Sequence, residues 1–275
     1  MSKIRGSTVL VTGAAGGIGG QLATWLALEE ARLVLWDVDA PRLDDAVDYL
    51  RSGLGAEVQG YPCDVSDRSA VHATAERVAR EVGPVDILVN NAGLGGGLGL
   101  LELPEERIAQ TFGVNTLALF WTCKAFLPSM VERNRGHIVT VASAAGLLGV
   151  PRLADYCSSK WAAVGFNDAL RRELRRLAPA VRTTLVCTSF VRGSTYRAAR
   201  SPLPHLLPVL RECDVAERIV RAILHDEARV AQPPLLGVVP ALHALPTRAF
   251  DALAERLGVG QLMDRVTMRP GTAPA

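Results

Sequence analysis

The chain is poor in lysine, in aromatic residues and in net charge. Only Lys3, Lys124 and Lys160 among the 30 basic residues are lysines, aromatic residues make up 5% of the 275 positions, and the formal charge is +2. A nearly balanced charge without long runs of one sign provides no surface for nucleic acid. Because the composition favours arginine so strongly, each retained lysine is informative: a compact ammonium binds differently from a planar guanidinium.

Cysteine spacing and hydrophobic runs exclude two further classes of protein. The five cysteines are odd in number and lack CxxC or metal-ligand spacing, which predicts reduced thiols and no metal site. No apolar run of membrane-spanning length precedes the first predicted strand, so we expect neither a signal peptide nor a membrane span there. These features favour a soluble, cytoplasmic protein, and 49% apolar residues can bury the core of a single domain.

Short apolar, β-branched runs alternate with longer amphipathic segments along most of the chain. Continuous apolar strands separated by helices are typical of βαβ units. The predicted fold class is therefore α/β, with three layers built around a doubly wound parallel sheet. The predicted strands are 8–12, 33–37, 57–63, 85–90, 137–142 and 182–187, and the predicted helices are about 17–30, 41–53, 67–82, 104–133 and 154–178.

A glycine-rich run joins the first predicted strand to the first predicted helix. Glycines at such a junction allow a tight turn and let a pyrophosphate approach the backbone, while the helix N-terminus offers free N–H groups to an anion. The run therefore predicts a dinucleotide site, and a purely structural glycine turn is the alternative. Its proposed cofactor-binding residues are Gly13, Gly16, Gly17, Ile18 and Gly19.

Asp37 closes the second predicted strand, where an acidic side chain can accept hydrogen bonds from the adenosine ribose. The same carboxylate would repel a 2′-phosphate, and no basic residue occupies positions 14, 15, 38 or 40 to offset it. NAD is therefore predicted in preference to NADP. The alternative is that Asp37 only caps the following turn and that Asp39 or Arg42 sets the choice.

Tyr156 and Lys160 are four residues apart in a predicted helix, so they project from one face one turn apart. A neighbouring cation stabilises a phenolate, so this pair can form a proton acceptor that works near neutral pH. Chance pairs of this kind are common in helices, which leaves a coincidental spacing as the alternative. Ser143, thirteen positions upstream, completes a set of three polar residues.

These motifs fall in the order and at the spacings of the short-chain dehydrogenase/reductases, which the chain resembles over residues 5 to 230. The resemblance implies a Rossmann-like sheet of about seven strands and hydride transfer between a nicotinamide and an alcohol or carbonyl carbon. The matching residues are the run TGAAGGIG from Thr12, Asp64 with Val65, the run NNAG from Asn90, Asn115, Ser143, Tyr156 and Lys160.

The resemblance also implies catalytic roles. Tyr156 would act as the general base, Ser143 would hydrogen-bond the substrate oxygen, and Lys160 would bind the nicotinamide ribose and lower the pKa of Tyr156. Asn115, in the middle of a long predicted helix, would hold a water molecule linking Lys160 to solvent. Alternatively, Asn115 bonds to its own helix backbone.

Further cofactor contacts follow from the same resemblance. Asp64 and Val65 would contact the adenine, Asn91 would lie near the adenine ribose, and Val191 would lie at the cofactor. After the sixth strand the family has a proline and then a threonine that contacts the carboxamide, but this chain has Thr188 in place of that proline. Ser194 or Thr195 could replace the carboxamide contact, and Arg192 could favour an anionic substrate, but the sequence decides neither.

The middle of the chain most resembles the retinol dehydrogenase and 17β-hydroxysteroid dehydrogenase branch, which acts on lipids. This implies a hydrophobic alcohol as substrate, and the predicted pocket walls at 94–101, 147–153 and from Phe190 onward hold few charges. Ordinary packing of loops is the alternative. The competing functions are an NADP-dependent carbonyl reductase of the same fold and a non-catalytic dinucleotide-binding scaffold.

After residue 188 the regular alternation stops, and the proline-rich stretches 201–208 and 232–246 are predicted to form loops or broken helices. Residues 1–231 are predicted to form the catalytic domain, including a substrate loop at about 188–213, and residues 232–275 a C-terminal extension. The apolar residues of this extension, interleaved with arginines that include Arg248, Arg256 and Arg265, fit a helix on a membrane surface. Packing against the domain or a partner subunit is the favoured alternative.

Apolar residues on several faces of helices 116–126 and 161–170 favour a homodimer or homotetramer.

Overall fold

Seven parallel strands form the central sheet of this protein, in agreement with the predicted fold class. The structure is a computed structural model that describes residues 3–192 and 208–261. The strand order is β3-β2-β1-β4-β5-β6-β9. These strands are β1 Thr8–Thr12, β2 Arg32–Asp37, β3 Val58–Pro62, β4 Ile87–Asn90, β5 Gly136–Val141, β6 Val181–Thr188 and β9 Arg229–Gln232, and a separate pair consists of β7 Val191–Arg192 and β8 Leu210–Arg211.

Helices cover both faces of the sheet. They are α1 Gly17–Leu28, α2 Ala40–Asp48, α3 Arg68–Glu81, α4 Glu105–Phe112, α5 Ala118–Glu132, α6 Ala154–Leu177, α7 Glu212–Leu224, α8 Val239–Leu242 and α9 Thr247–Arg256. A π-helical turn at Tyr49–Gly53 extends α2, and a second at Gly113–Leu117 joins α4 to α5. None of the helices in the described ranges is long and apolar enough to span a membrane.

The strands are apolar on both faces because both faces are buried. Val9 and Val11 of β1 belong to a core shared with α1 and α7, whereas Leu10 between them belongs to a second core shared with α3 and α5. All five residues of β1 are buried. Complete burial explains the continuous hydrophobic runs in the sequence, since successive side chains of a strand point to opposite faces.

The chain reverses its direction of winding at β1. Strands β2 and β3 lie on one side of β1, and β4, β5, β6 and β9 lie on the other. A crevice opens at the carboxyl ends of the strands at such a point, and ligands of open α/β sheets bind there. The loops after β1, β4 and β5 all leave the sheet at this edge.

All six predicted strands and all five predicted helices have counterparts in the structure, but no strand or helix was predicted between residues 188 and 232. The elements missed there are β7, β8, α7 and β9. The prediction of one helix at 104–133 was wrong in detail, because the π-helical turn at Gly113–Leu117 divides it.

The predicted broken helices in the proline-rich stretch 232–246 are confirmed. After β9 the chain forms a 3₁₀ turn at Pro234–Val238, then α8, α9 and a final turn at Val259–Gln261. The other proline-rich stretch, 201–208, lies almost entirely outside the described residues, as does Arg265. The division at residue 231 into domain and extension stays a prediction.

Candidate active site

The glycine run forms the turn between β1 and α1 and lines a cavity of about 460 Å³. Gly13 and Gly17 adopt the left-handed region, with φ of 66° and 58°, which side chains rarely occupy. Among the residues that the structure describes, no side chain caps α1 at Gly16, so the first N–H groups of this helix remain available to an anion. The turn therefore has the shape and the free donors that a pyrophosphate requires.

Hydrogen bonds attach this turn to the end of β4. The hydroxyl of Thr12 accepts from the backbone N–H groups of Asn91 and Ala92, at 3.0 and 3.1 Å. The amide nitrogen of Asn91 donates to the carbonyl oxygens of Thr12 and Gly13, at 2.9 and 3.2 Å. Asn91 borders the cavity, and its amide group holds the glycine turn in place; its position near the adenine ribose stays a prediction.

Acidic residues from the ends of β2 and β3 surround one end of the cavity. The carboxylate of Asp37 accepts from the backbone N–H groups of Ala15, at 2.8 Å, and Asp39, at 3.1 Å. Arg42 lines the same region and pairs with Asp39 at 3.3 Å. Asp37 thus caps the following turn and also borders the cavity, and its contact with the adenosine ribose stays a prediction.

Asp64 and Val65 also line this end of the cavity. Asp64 is exposed, and its carboxylate accepts from the backbone N–H and the hydroxyl of Ser66, at 2.8 and 2.7 Å. Val65 is buried. The predicted adenine pair is therefore beside the predicted ribose-binding carboxylate.

Three of the four predicted catalytic side chains lie together in the cavity. Tyr156 and Lys160 come from the first two turns of α6, and Ser143 from the loop after β5. The Lys160 nitrogen lies 5.7 Å from the centre of the Tyr156 ring and donates to the carbonyl oxygen of Val141 at 3.1 Å. Ser143 hydrogen-bonds the Tyr156 hydroxyl and accepts from the backbone N–H of Ala145.

Burial holds both titrating groups closer to their neutral forms. It raises the pKa of Tyr156, and the Ser143 hydrogen bond offsets part of this rise. It lowers the pKa of Lys160 from 10.5 to about 8, because the ammonium loses its water. The predicted lowering of the Tyr156 pKa by Lys160 is thus not seen in the protein without cofactor, where desolvation is the largest influence.

Asn115 lies in the π-helical turn at the middle of the helical stretch 105–132, so its predicted position in a long helix is confirmed, although the helix is not regular there. Its side-chain oxygen accepts from the Leu94 N–H at 2.8 Å, and its amide nitrogen donates to the Leu94 carbonyl and to the Ser159 hydroxyl, both at 2.9 Å. The alternative of a bond to its own helix backbone was wrong. A Cβ at Gly93 would lie 3.3 Å from both the Asn115 oxygen and the Lys160 nitrogen, so both groups flank Gly93.

Apolar side chains line the rest of the cavity. The predicted walls contribute only in part, and the C-terminal residues Leu236 and Val259 were missed, because no sequence pattern links them to the site. Thr188 and Val191 also border the cavity, Arg192 is exposed outside its lining, and Ser194 and Thr195 lie outside the described residues. The apolar lining comprises Leu94, Leu148, Val150, Leu153, Phe190, Leu236 and Val259.

A family model described as short chain dehydrogenase matches residues 7–202 of the chain. Epidermal retinol dehydrogenase 2 from Mus musculus is 38% identical over 267 residues, which cover 96% of this chain and 86% of that protein. Estradiol 17-beta-dehydrogenase 11 from Macaca fascicularis is 40% identical over 255 residues, covering 92% and 84%.

Solved structures are similar over most of their length. A short chain dehydrogenase/reductase from Burkholderia phymatum in complex with NAD has a TM-score of 0.79 and 33% identity, covering 89% of this chain and 95% of that one. A metagenomic short-chain oxidoreductase in complex with NADP has a TM-score of 0.70 and 31% identity, covering 84% and 97%. A nicotinamide dinucleotide is the cofactor that these similarities support.

Alanine substitutions at two glycines of the turn should have different effects, one on stability and the other on cofactor binding. A Cβ at Gly19 would lie 2.0 Å from the Gly13 carbonyl oxygen, whereas a Cβ at Gly16 meets nothing within 4 Å. We expect Gly19→Ala to destabilise the protein by about 2 kcal/mol or more, since backbone must move. Gly16→Ala should keep its melting temperature and weaken dinucleotide binding at least roughly tenfold, since the methyl group occupies the anion's approach. Equal melting temperatures for both variants, measured by thermal unfolding, would contradict this assignment.

Lys160 should destabilise the protein that lacks its cofactor. A pKa lowered from 10.5 to about 8 corresponds to about 3 kcal/mol of unfavourable burial. Between these two pH values the unfolded chain binds a proton that the folded protein does not, so stability should rise with pH through this window. Lys160→Met should be more stable at pH 7 by about 2 kcal/mol, after loss of the bond to Val141, and should lack this rise. Denaturant titrations from pH 7 to 10.5 test this, with the exposed Lys124→Met as control; parallel curves for Lys160→Met and the wild type would refute it.

Proposed function

The chain belongs to the short-chain dehydrogenase family, in its retinol and steroid dehydrogenase branch, and from this membership we propose that it interconverts a hydrophobic alcohol and its carbonyl compound with NAD. The observation that carries this proposal is the convergence of Ser143, Tyr156 and Lys160 on the cavity that the glycine turn also lines. A non-catalytic protein that only binds a dinucleotide would not need these three side chains in the cavity.

The glycine turn fits a dinucleotide. Gly16 leaves open space where any side chain would intrude, and the uncapped N-terminus of α1 offers N–H groups to the pyrophosphate. Lys160 uses one of its three N–H donors on Val141, so two remain for the nicotinamide ribose hydroxyls. When bound, the nicotinamide supplies an acceptor or a donor for hydride.

Tyr156 is the group proposed to move the hydroxyl proton. During oxidation its oxygen accepts this proton, and during reduction it returns the proton to the carbonyl oxygen. Ser143 donates to the substrate oxygen and stabilises the negative charge that develops there. Lys160, in its charged form, stabilises the phenolate, while Asn115 holds Leu94 at the wall of the cavity.

Charges at the adenosine end support NAD in preference to NADP. Asp37, Asp39 and Asp64 contribute three carboxylates against one guanidinium, from Arg42, which is already paired with Asp39. A 2′-phosphate placed there would face net negative charge. NADP is the alternative, because release of Arg42 from Asp39 would free a phosphate ligand.

The apolar lining supports a hydrophobic substrate. Leu148, Val150, Leu153 and Phe190 border the cavity near the catalytic residues, and similar relatives are named for retinol and estradiol. A pocket with such a lining favours a ligand that buries apolar surface. The hydrophobic alcohol is thus supported by the residues as well as by the resemblance.

Exposed apolar residues on two neighbouring helices support a homo-oligomer. Leu117, Phe120 and Trp161 are each more than 40% exposed, on or beside α5 and α6. A patch of this kind is often covered by a partner subunit. A homodimer or homotetramer therefore remains our proposal, and the cytoplasmic location and the membrane contact of the extension stay predictions.

Cofactor preference tests the role of Asp37. The wild type should use NAD with a kcat/KM at least roughly tenfold above that with NADP, since the carboxylates repel the phosphate. Asp37→Asn keeps an oxygen for the Ala15 N–H but loses the charge. The ratio of kcat/KM with NAD to kcat/KM with NADP should therefore fall roughly tenfold. Arg42→Ala should leave NAD use within about twofold. A wild type that prefers NADP, and loses that preference in Arg42→Ala, would reverse the assignment.

Replacement of Tyr156 tests the mechanism. Tyr156→Phe should lower kcat/KM roughly a thousandfold or more because the proton acceptor is lost, while the Kd of NADH changes within about twofold. The exposed Tyr49→Phe outside the cavity is the matched control.

Turnover is followed by NADH fluorescence over a panel of retinoids, steroids, long-chain alcohols and small cyclic alcohols. The hydrophobic alcohols should be preferred. Near-normal activity of Tyr156→Phe would refute the mechanism, and a preference for small polar alcohols would refute the substrate class.

A further inference from the structure

The C-terminal extension reaches the cavity that holds the predicted catalytic residues. Leu236, in the 3₁₀ turn after β9, and Val259, in the final turn, both line it. Leu236 is buried in a cluster with Leu147 and Ala163, so this turn packs onto α6 and the loop after β5. The extension therefore contributes two apolar residues to the cavity wall.

One side chain of the extension joins it to the catalytic side. The His243 ring, just after α8, donates from Nε2 to the Leu147 carbonyl oxygen at 2.7 Å. The ring stacks on Phe250 of α9, with centroids 4.7 Å apart, and meets the edge of Trp161 at 5.4 Å. His243 thus contacts α9, α6 and the loop after β5 at once.

Leu147 is a rigid point of attachment. It follows the turn Ala144–Gly146, which packs so closely on α6 that a Cβ at Gly146 would lie 2.6 Å from the Lys160 carbonyl oxygen. Trp161 directly follows Lys160 in α6. The contacts of His243 therefore fix the position of the extension relative to the α6 backbone that carries the predicted catalytic Lys160.

We propose that the C-terminal extension forms one wall of the substrate site and that His243 is the positioning residue that holds this wall at a set distance from the catalytic side chains. The proposal rests on the proposed function, because it concerns recognition of a hydrophobic alcohol. A long apolar alcohol reaches Leu236 and Val259 and depends on their contacts. A short alcohol does not reach them, so its binding is independent of His243.

Steady-state kinetics of the full chain with NAD test this selectivity. His243→Phe keeps the ring contacts but loses the donor, so KM for a long-chain alcohol should rise roughly fivefold, while kcat, KM for a short-chain alcohol and the Kd of NADH stay within about twofold. Val259→Ala should act in the same direction. His243→Gln, whose amide can still donate to Leu147, should restore part of the loss. His225→Phe, a matched change at an exposed histidine of α7 that bonds the Arg221 carbonyl, should have no effect. Equal changes for long and short alcohols, or none, would overturn the proposal.

Hydrogen exchange gives a readout that does not depend on turnover. In His243→Phe, exchange should accelerate in residues 233–259 and 147–153 and remain unchanged in the glycine turn. Unchanged exchange in the extension would overturn the role of His243. Accelerated exchange in a protein that oxidises no hydrophobic alcohol would support the attachment and refute the proposed function instead.

Discussion

The hydrogen bonds between Thr12 and Asn91 hold together the two loops on which the site is built. Thr12 ends β1, and Asn91 follows β4, so the bonds close the crevice at the point where the sheet changes direction. On one side of this contact the glycine turn acquires the shape of an anion site. On the other, the chain continues through Gly93 to Leu94, where Asn115 and Lys160 lie. The geometry of both halves therefore depends on one threonine and one asparagine.

The scarcity of lysine has a physical counterpart at the site. An arginine buried at position 160 would stay charged at any accessible pH, because its guanidinium does not lose a proton in proteins. Lysine can exist in both forms, and its burial brings its pKa to about 8. The protein without cofactor bears the free-energy cost of this burial. A ligand that provides hydrogen-bond acceptors for the ammonium relieves that cost, so cofactor affinity and intrinsic stability are linked through the same atom.

The periodicity of hydrophobic residues predicts strands that are buried on both faces and helices with one apolar stripe. It does not predict elements whose position depends on contacts with distant parts of the chain. Strands β1, β2 and β4 to β6 were predicted because most of their residues are buried, and the glycine turn because its chemistry is local. Strand β9, with four residues and only Val230 fully buried, has too short an apolar run to stand out. The interruption before α5 has no sequence mark, since a π-helical turn needs no special residue. The contacts of Asn115 with Leu94, and of His243 with Leu147, join segments that are far apart in sequence, so no local pattern could predict them.

The π-helical turn at Gly113–Leu117 also sets a rotational relation between two helices. In a π-helical turn the backbone hydrogen bond joins residues i and i+5 instead of i and i+4, so the turn contains one extra residue. This insertion rotates α5 about its axis relative to α4 by roughly 100°. As a result α4 directs Thr111 towards Asp155 at the start of α6, while α5 directs Thr122 towards Asn90 at the end of β4. A chain shortened by one residue here would keep Thr111 and Thr122 and yet could satisfy only one of these two contacts. The spacing of residues 113 to 117 is thus as much a part of the site as the identity of Asn115.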